Sequence, residues 1–136
     1  MSIPAKYHIP LLILVCLCLF FPHLDLLYAN IMEARNFNTA REMLHYNNWI
    51  FTTMNGEPRY EKPPLPTWLA AFSGAIFGIT KIWALRLPSA IISTLMTVSL
   101  YKLGVRFLNN KEQSFNASLI LATSFYILFS GRNGTW

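Results

Sequence analysis

IPLLILVCLCLFF, Ile9–Phe21, carries no charged side chain and is broken only by Pro10. It is the centre of an apolar block over about 7–27, and similar blocks recur at about 83–106 and 114–131. Apolar residues gathered in runs of that length, rather than spread at a helical period, suit hydrocarbon better than a water-bounded core. Composition agrees: 54% of the 136 residues are hydrophobic and 12% charged, against roughly 25% charged in soluble domains. The net charge is +5, but the basic residues stand scattered, so the clustered basic face of a nucleic-acid binder is missing. Scattered cations of this kind hold loops against anionic lipid. Cys16 and Cys18 both lie inside the first apolar block, with no other cysteine in the chain. They read as small buried hydrophobes rather than as a disulfide framework or a zinc site.

Working outward, the first block reads as a span over about 7–27, with Lys6 keeping the N-terminus cytoplasmic. A cleaved signal peptide is the rival reading, because Pro22-His23 ends a short apolar run. Its cleavage site would place Leu27 at the −3 position, where a small residue is required, so the span is preferred. His23 and Asp25 fall at the outer end, where the interface solvates them. Residues 30–46 read as a helix with Asn30 as N-cap and Glu33 at N3, the pattern of a capping box. Phe37, Ala40 and Leu44 give it one apolar stripe, so it should lie along the interface. Residues 47–66 read as a loop, with Asn55-Gly56, Pro58, Pro63, Pro64 and Pro66. The prolines should hold Glu61-Lys62-Pro63-Pro64 extended and rigid.

A second interfacial helix is expected over 64–79. Its apolar part, Thr67–Ile79, is too short to cross about 30 Å of hydrocarbon. A crossing would also turn Lys102, Arg106 and Lys111 outward, against the positive-inside tendency. Spans over about 83–106 and 114–131 follow, joined by a cytoplasmic turn at Asn109–Gln113. The sequence then stops at Trp136 without a closing element, and three spans would hardly enclose a catalytic cavity. It therefore reads as the N-terminal piece of a longer protein. The expected fold is all-α and integral to the membrane, with about three transmembrane helices and two interfacial helices in the first extracytoplasmic loop.

That loop, about 28–81, carries Glu33, Glu42, Glu57 and Glu61 together with Arg35, Arg41, Arg59 and Lys62. Charge alone leaves two readings open, a solvated loop and a functional site. The order of the residues adds more. Met32-Glu33-Ala34-Arg35, Ala40-Arg41-Glu42-Met43-Leu44, Trp49-Ile50, Arg59-Tyr60-Glu61-Lys62-Pro63 and Ala84-Leu85-Arg86-Leu87-Pro88-Ser89 succeed one another along the chain. In that order and spacing they resemble the polyprenyl-phosphate-dependent GT-C glycosyltransferases, which include the protein O-mannosyltransferases and bacterial aminoarabinose transferases.

The resemblance implies an enzyme of the bacterial plasma membrane, with its site in the extracytoplasmic loop. It would move a sugar from a polyprenyl-phosphate carrier to a lipid A-like or protein acceptor, with no nucleic-acid partner. It also implies roles: Arg35 and Lys62 in holding the carrier phosphate, Arg59 as a further substrate-binding residue, Glu61 as the ligand of a divalent metal ion, and Glu33 with Glu61 as the catalytic carboxylates. Two cations suit a leaving phosphate because they balance its charge without accepting a proton. A hard cation with carboxylate ligation is reasonable beside it. The family usually carries an acidic pair at Met32-Glu33, and methionine cannot act as a base. Neighbouring helical residues point about 100° apart, so Glu33 would not simply occupy the missing acid's place. It serves as base or merely caps its helix. A non-catalytic subunit, a transporter fragment and a degenerate carrier-binding relative are the alternatives.

Overall fold

The computed structural model describes residues 4–26, 28–60 and 63–134. After a 3-10 turn at Ala5–Tyr7, the helices are α1 (His8–Phe20), α2 (Ile31–Tyr46), α3 (Leu65–Phe77), α4 (Ile82–Leu108), α5 (Lys111–Thr123) and α6 (Phe125–Arg132). Strands β1 (Thr53–Met54) and β2 (Glu57–Pro58) lie between α2 and α3. The chain divides into two compact units, Met1–Pro22 with Ser89–Arg132, and His23–Pro88 with Asn133–Trp136.

In the first unit, Leu12 of α1 packs with Tyr101 of α4 and Phe115 of α5. Cys16 and Phe20 pack with Ala90 and Ala122. His8 is buried here, stacked on Phe115 with ring centroids 4.6 Å apart and hydrogen-bonded through Nδ1 to the Tyr101 hydroxyl at 3.2 Å. The helix of the first apolar block ends at Phe20, short of the expected Leu27; Pro22 and the left-handed His23 (φ 52°) follow. With its leading 3-10 turn it covers Ala5–Phe20, too short to pass as a span by length. Among the described residues only α4 is long and apolar enough to cross a membrane as a single helix.

The block at 114–131 is not one straight helix either. It is α5 and α6, bent by 59° at Ser124, which is extended (ψ 138°). Both hydroxyls at the break turn back on the preceding turn, Thr123 Oγ1 to the Leu119 carbonyl at 2.8 Å and Ser124 Oγ to the Leu121 carbonyl at 2.8 Å. Hydroxyls that satisfy local carbonyls let a helix break in an apolar setting without stranding a polar group.

The second unit is built on α2. Phe37, Ala40 and Met43 recur at three-residue steps and pack against Ala70 and Ala71 of α3 and Leu85 of α4. The expected capping box is present: the Asn30 side chain accepts the Glu33 amide at 2.9 Å, and Glu33 Oε2 accepts the Asn30 amide at 3.2 Å. Small residues let α3 approach closely. A Cβ on Gly74 would come within 2.5 Å of Ile79 Cδ1.

Pro88 lies inside α4 and has no amide hydrogen, so the carbonyl four residues back, Ala84, loses its helical donor. Ser73 Oγ of α3 supplies the missing hydrogen bond at 2.5 Å. This keeps a buried carbonyl from being stranded, a loss of roughly 1–3 kcal/mol.

The segment expected to be a loop holds a short antiparallel hairpin, with Thr53 opposite Pro58 and Met54 opposite Glu57. Asn55 and Gly56 both have positive φ, 56° and 80°. That is the geometry a two-residue hairpin turn demands, and Asn-Gly adopts it at least steric cost. The fold is otherwise helical, as expected, with this one short hairpin in addition.

Candidate functional site

The register of α2 sorts its charged residues. Glu33 falls on the buried face with Asn36, Phe37, Thr39, Ala40 and Met43. Arg35, two residues on and so about 200° round the helix, is exposed.

Glu33 is fully buried and forms a two-pronged ion pair with buried Arg86. Arg86 Nε donates to Oε1 and Nη2 to Oε2, each at 2.9 Å. Arg86 Nη1 donates to the Leu24 carbonyl at 2.6 Å. The Gly134 amide also donates to Glu33 Oε1, at 2.5 Å. A Cβ on Gly134 would lie 2.8 Å from Phe37 Cε1, so glycine permits that approach. With Asn30 on the second oxygen, Glu33 joins three separated segments of the chain and, through Arg86, a fourth at Leu24; parallel fork-to-carboxylate bonds are among the stronger polar contacts available.

Arg59 is also buried. Its Nη1 donates to Thr39 Oγ1 at 2.9 Å, its amide to the Thr52 carbonyl at 2.8 Å, and its carbonyl accepts the Thr52 hydroxyl. The guanidinium thus reaches α2 directly after the hairpin and orients the chain entering Tyr60. Glu61 and Lys62 lie outside the described residues.

Glu42 latches the hairpin turn to α2. Its carboxylate accepts Thr53 Oγ1 at 2.6 Å and the amides of Asn55 and Gly56 at 2.5 and 3.4 Å. Slight burial alone would raise the Glu42 carboxyl, but these three donors outweigh it and hold the group below the usual carboxylate range. Asn38 Nδ2 adds a bond to Asn55 Oδ1 at 3.0 Å.

Between α2 and the hairpin turn opens a cleft of about 630 Å³. Arg35 and Arg41 are its charged lining residues, and Ile31, Met54 and Ile82 give it apolar walls. The Arg35 guanidinium forms no hydrogen bond or ion pair with a described residue. This combination of a cation and an apolar wall fits an anion carried on an apolar chain. No group of three or more His, Cys, Asp or Glu stands together among the described residues, so these residues supply no ligand set for a metal ion.

Of the residues expected at a site, Arg35 thus faces the cleft, while Glu33 and Arg59 are packed inward as connectors. Two residues given no role in the sequence reading, Arg86 and Glu42, prove to organise the unit. Arg86 had a legible signal, a lone charge within the apolar run Ile82–Ile92, which must find a partner or stay unburied. Glu42 had none, because its partners are backbone amides.

A family model described as dolichyl-phosphate-mannose-protein mannosyltransferase matches residues 61–136. Over 93 residues the chain is 37% identical to a protein of Pseudomonas savastanoi pv. phaseolicola named undecaprenyl phosphate-alpha-4-amino-4-deoxy-L-arabinose arabinosyl transferase. That alignment covers 68% of this chain and 17% of the relative. A second transferase of that name, from Proteus mirabilis, is 33% identical over 99 residues, covering 73% of this chain and 18% of the relative. An uncharacterised protein of Aquifex aeolicus is 30% identical over 95 residues, covering 70% and 19%. The chain therefore spans less than a fifth of the length of these relatives. No solved structure matches it.

Proposed function

Because the chain belongs to the dolichyl-phosphate-mannose-protein mannosyltransferase family, we propose that it forms part of a membrane glycosyltransferase acting on a polyprenyl-phosphate-linked sugar. The donor class follows the names of the relatives, whose sugar carrier is undecaprenyl phosphate. A lipid acceptor of the lipid A kind or a protein acceptor completes the reaction, on the outer face of the cytoplasmic membrane. The observation that carries this reading is Arg35, exposed at an apolar-walled cleft and paired with no described residue. Arg35 and Lys62 hold the carrier phosphate, and Glu61 faces it with a divalent cation between them. Arg59 serves that site by fixing the approach to Tyr60 and the box beyond it.

Arg35→Ala and Lys62→Ala, made in the protein expressed from its full reading frame, should each weaken binding of undecaprenyl phosphate about tenfold or more. That is the loss of one charge-assisted bond of about 1.5–3 kcal/mol. Titration in detergent micelles measures it, and unchanged affinity in both variants would remove the phosphate role.

The same reading carries a topology. The apolar block at about 7–27, which is longer than α1 itself, crosses the membrane with α4 and the α5–α6 pair, and α2 and α3 lie on the outer face. On α3, Leu65, Trp68, Phe72 and Ile76 are exposed at three- and four-residue steps, as an interfacial helix requires. A cysteine at Asn55 should react with an impermeant reagent in intact cells, and one at Asn110 should be protected. Labelling of both would mean that α3 crosses.

One observation favours a second reading, a relative that binds the carrier without transferring sugar. Met32 stands where the resemblance implies an acid, and both oxygens of the adjacent Glu33 are engaged by Arg86. Carrier binding without turnover, in a fully inserted protein, would decide for it.

A further inference from the structure

We infer that Arg41 is a second phosphate-binding residue of the cleft beside Arg35, and that the occupant is the phosphate end of a polyprenyl chain. The inference rests on the donor class proposed above and adds to it a residue and a binding mode. Arg41 is exposed on α2 and lines the same cleft. Its Nε donates to the Ile79 carbonyl at 3.3 Å, which fixes one edge of the planar guanidinium. Its two terminal nitrogens form no hydrogen bond or ion pair with a described residue, so a pre-oriented fork of donors remains, the arrangement that suits phosphate oxygens.

Arg35 and Arg41 are six residues apart, about 9 Å along the helix axis. They are also about 120° apart round the helix, so each would reach a bound phosphate from its own side of the cleft that both line. Among the described residues no carboxylate lines the cleft. Glu42, next in sequence, is turned away by its three bonds to the hairpin turn. No described residue therefore neutralises the two positive charges from within the cleft. Asn38 donates to Asn55 Oδ1, which leaves the Asn55 amide nitrogen as a further donor on the wall. Ile31, Met54 and Ile82 offer the apolar surface along which the first isoprene units would run. A free inorganic anion would use the cations and leave that surface idle, whereas a phosphorylated prenyl chain uses both.

The test uses Arg41→Ala, Arg41→Lys and Arg35→Ala in the protein expressed from its full reading frame, in detergent. Three probes are titrated: undecaprenyl phosphate, uncharged undecaprenol and inorganic phosphate. Arg41→Ala should weaken undecaprenyl phosphate about tenfold, the loss of a charge-assisted contact. Arg41→Lys should recover part of that loss, keeping the charge without the fork. Undecaprenol should bind weakly and equally to all variants, and inorganic phosphate weakly to the parent. Loss in Arg35→Ala with no change in Arg41→Ala would overturn the role of Arg41 and leave the donor reading standing. No change in either variant would overturn both. Inorganic phosphate binding as tightly as undecaprenyl phosphate would overturn the assignment of the occupant. Arg41→Ala removes only one bond at the cleft rim, and an unchanged unfolding temperature confirms that lost binding is not lost folding.

Discussion

Arg86→Ala is expected to destabilise the protein by about 3–5 kcal/mol, the range for removing one partner of a buried ion pair. The side chains of Arg86 and Glu33 are each only 1% exposed, so the surviving carboxylate would be left in a dry site with no cation. The neighbours make the loss larger than that of a single bond. Arg86 Nη1 also holds the Leu24 carbonyl, and the freed Glu33 carboxylate would still be facing the amides of Asn30 and Gly134. Chemical denaturation in mild detergent measures the change. A double replacement, Glu33→Leu with Arg86→Met, should lose much less than the sum of the single changes, because no unpaired charge remains. A loss below about 1 kcal/mol in Arg86→Ala would mean that water screens the pair as it does at a surface, and the organising role of Glu33 would fall with it.

This pair also shows where reading the sequence stops. The capping box was legible because Asn30 and Glu33 are three residues apart, and local spacing fixes local hydrogen bonds. The partnership of Glu33 with Arg86 bridges 53 residues, and no periodicity encodes which of several cations an acid will choose. The apolar blocks were legible as blocks, but their ends and breaks were not. α1 stops at Phe20 and the third block bends at Ser124, because single proline, serine and threonine residues decide those points against an unchanged apolar background. The hairpin was missed for a different reason. Asn55-Gly56 is a strong turn signal, but its strands are two residues each and carry no alternation to read. At the candidate site, the exposure of Arg35 and the burial of Glu33 follow from the stripe Phe37, Ala40 once the helix is granted. The inward turn of Arg59 depends on Thr39 and Thr52, contacts made only when the chain has folded.

Glu61→Gln is expected to leave the protein folded and inserted while lowering transfer by on the order of 10²–10³-fold, the scale of losing one preorganised electrostatic contact at a reacting centre. The residue stands between Tyr60 and Lys62, and it is Lys62 that directly precedes Pro63-Pro64. Proline disfavours the helical region for the residue before it, and α3 does not begin until Leu65. The approach to Glu61 is fixed from the other side as well, since Arg59 bonds to Thr39 of α2 and its backbone to Thr52. Beside a carrier phosphate, two negative groups can approach only with positive charge between them, which is the case for Lys62 and a divalent cation. Glutamine keeps the size and hydrogen-bonding capacity of the side chain but removes the charge that draws the cation in. A chelator should therefore suppress transfer in the parent, with excess divalent ion restoring it. Restoration should be weak or absent in Glu61→Gln. If Glu61 only meets Lys62 or Arg59 as a surface pair, worth about 0–1 kcal/mol, the variant would keep transfer within a few-fold of the parent. That result, in a fully inserted protein that still binds undecaprenyl phosphate, would remove Glu61 from the reaction.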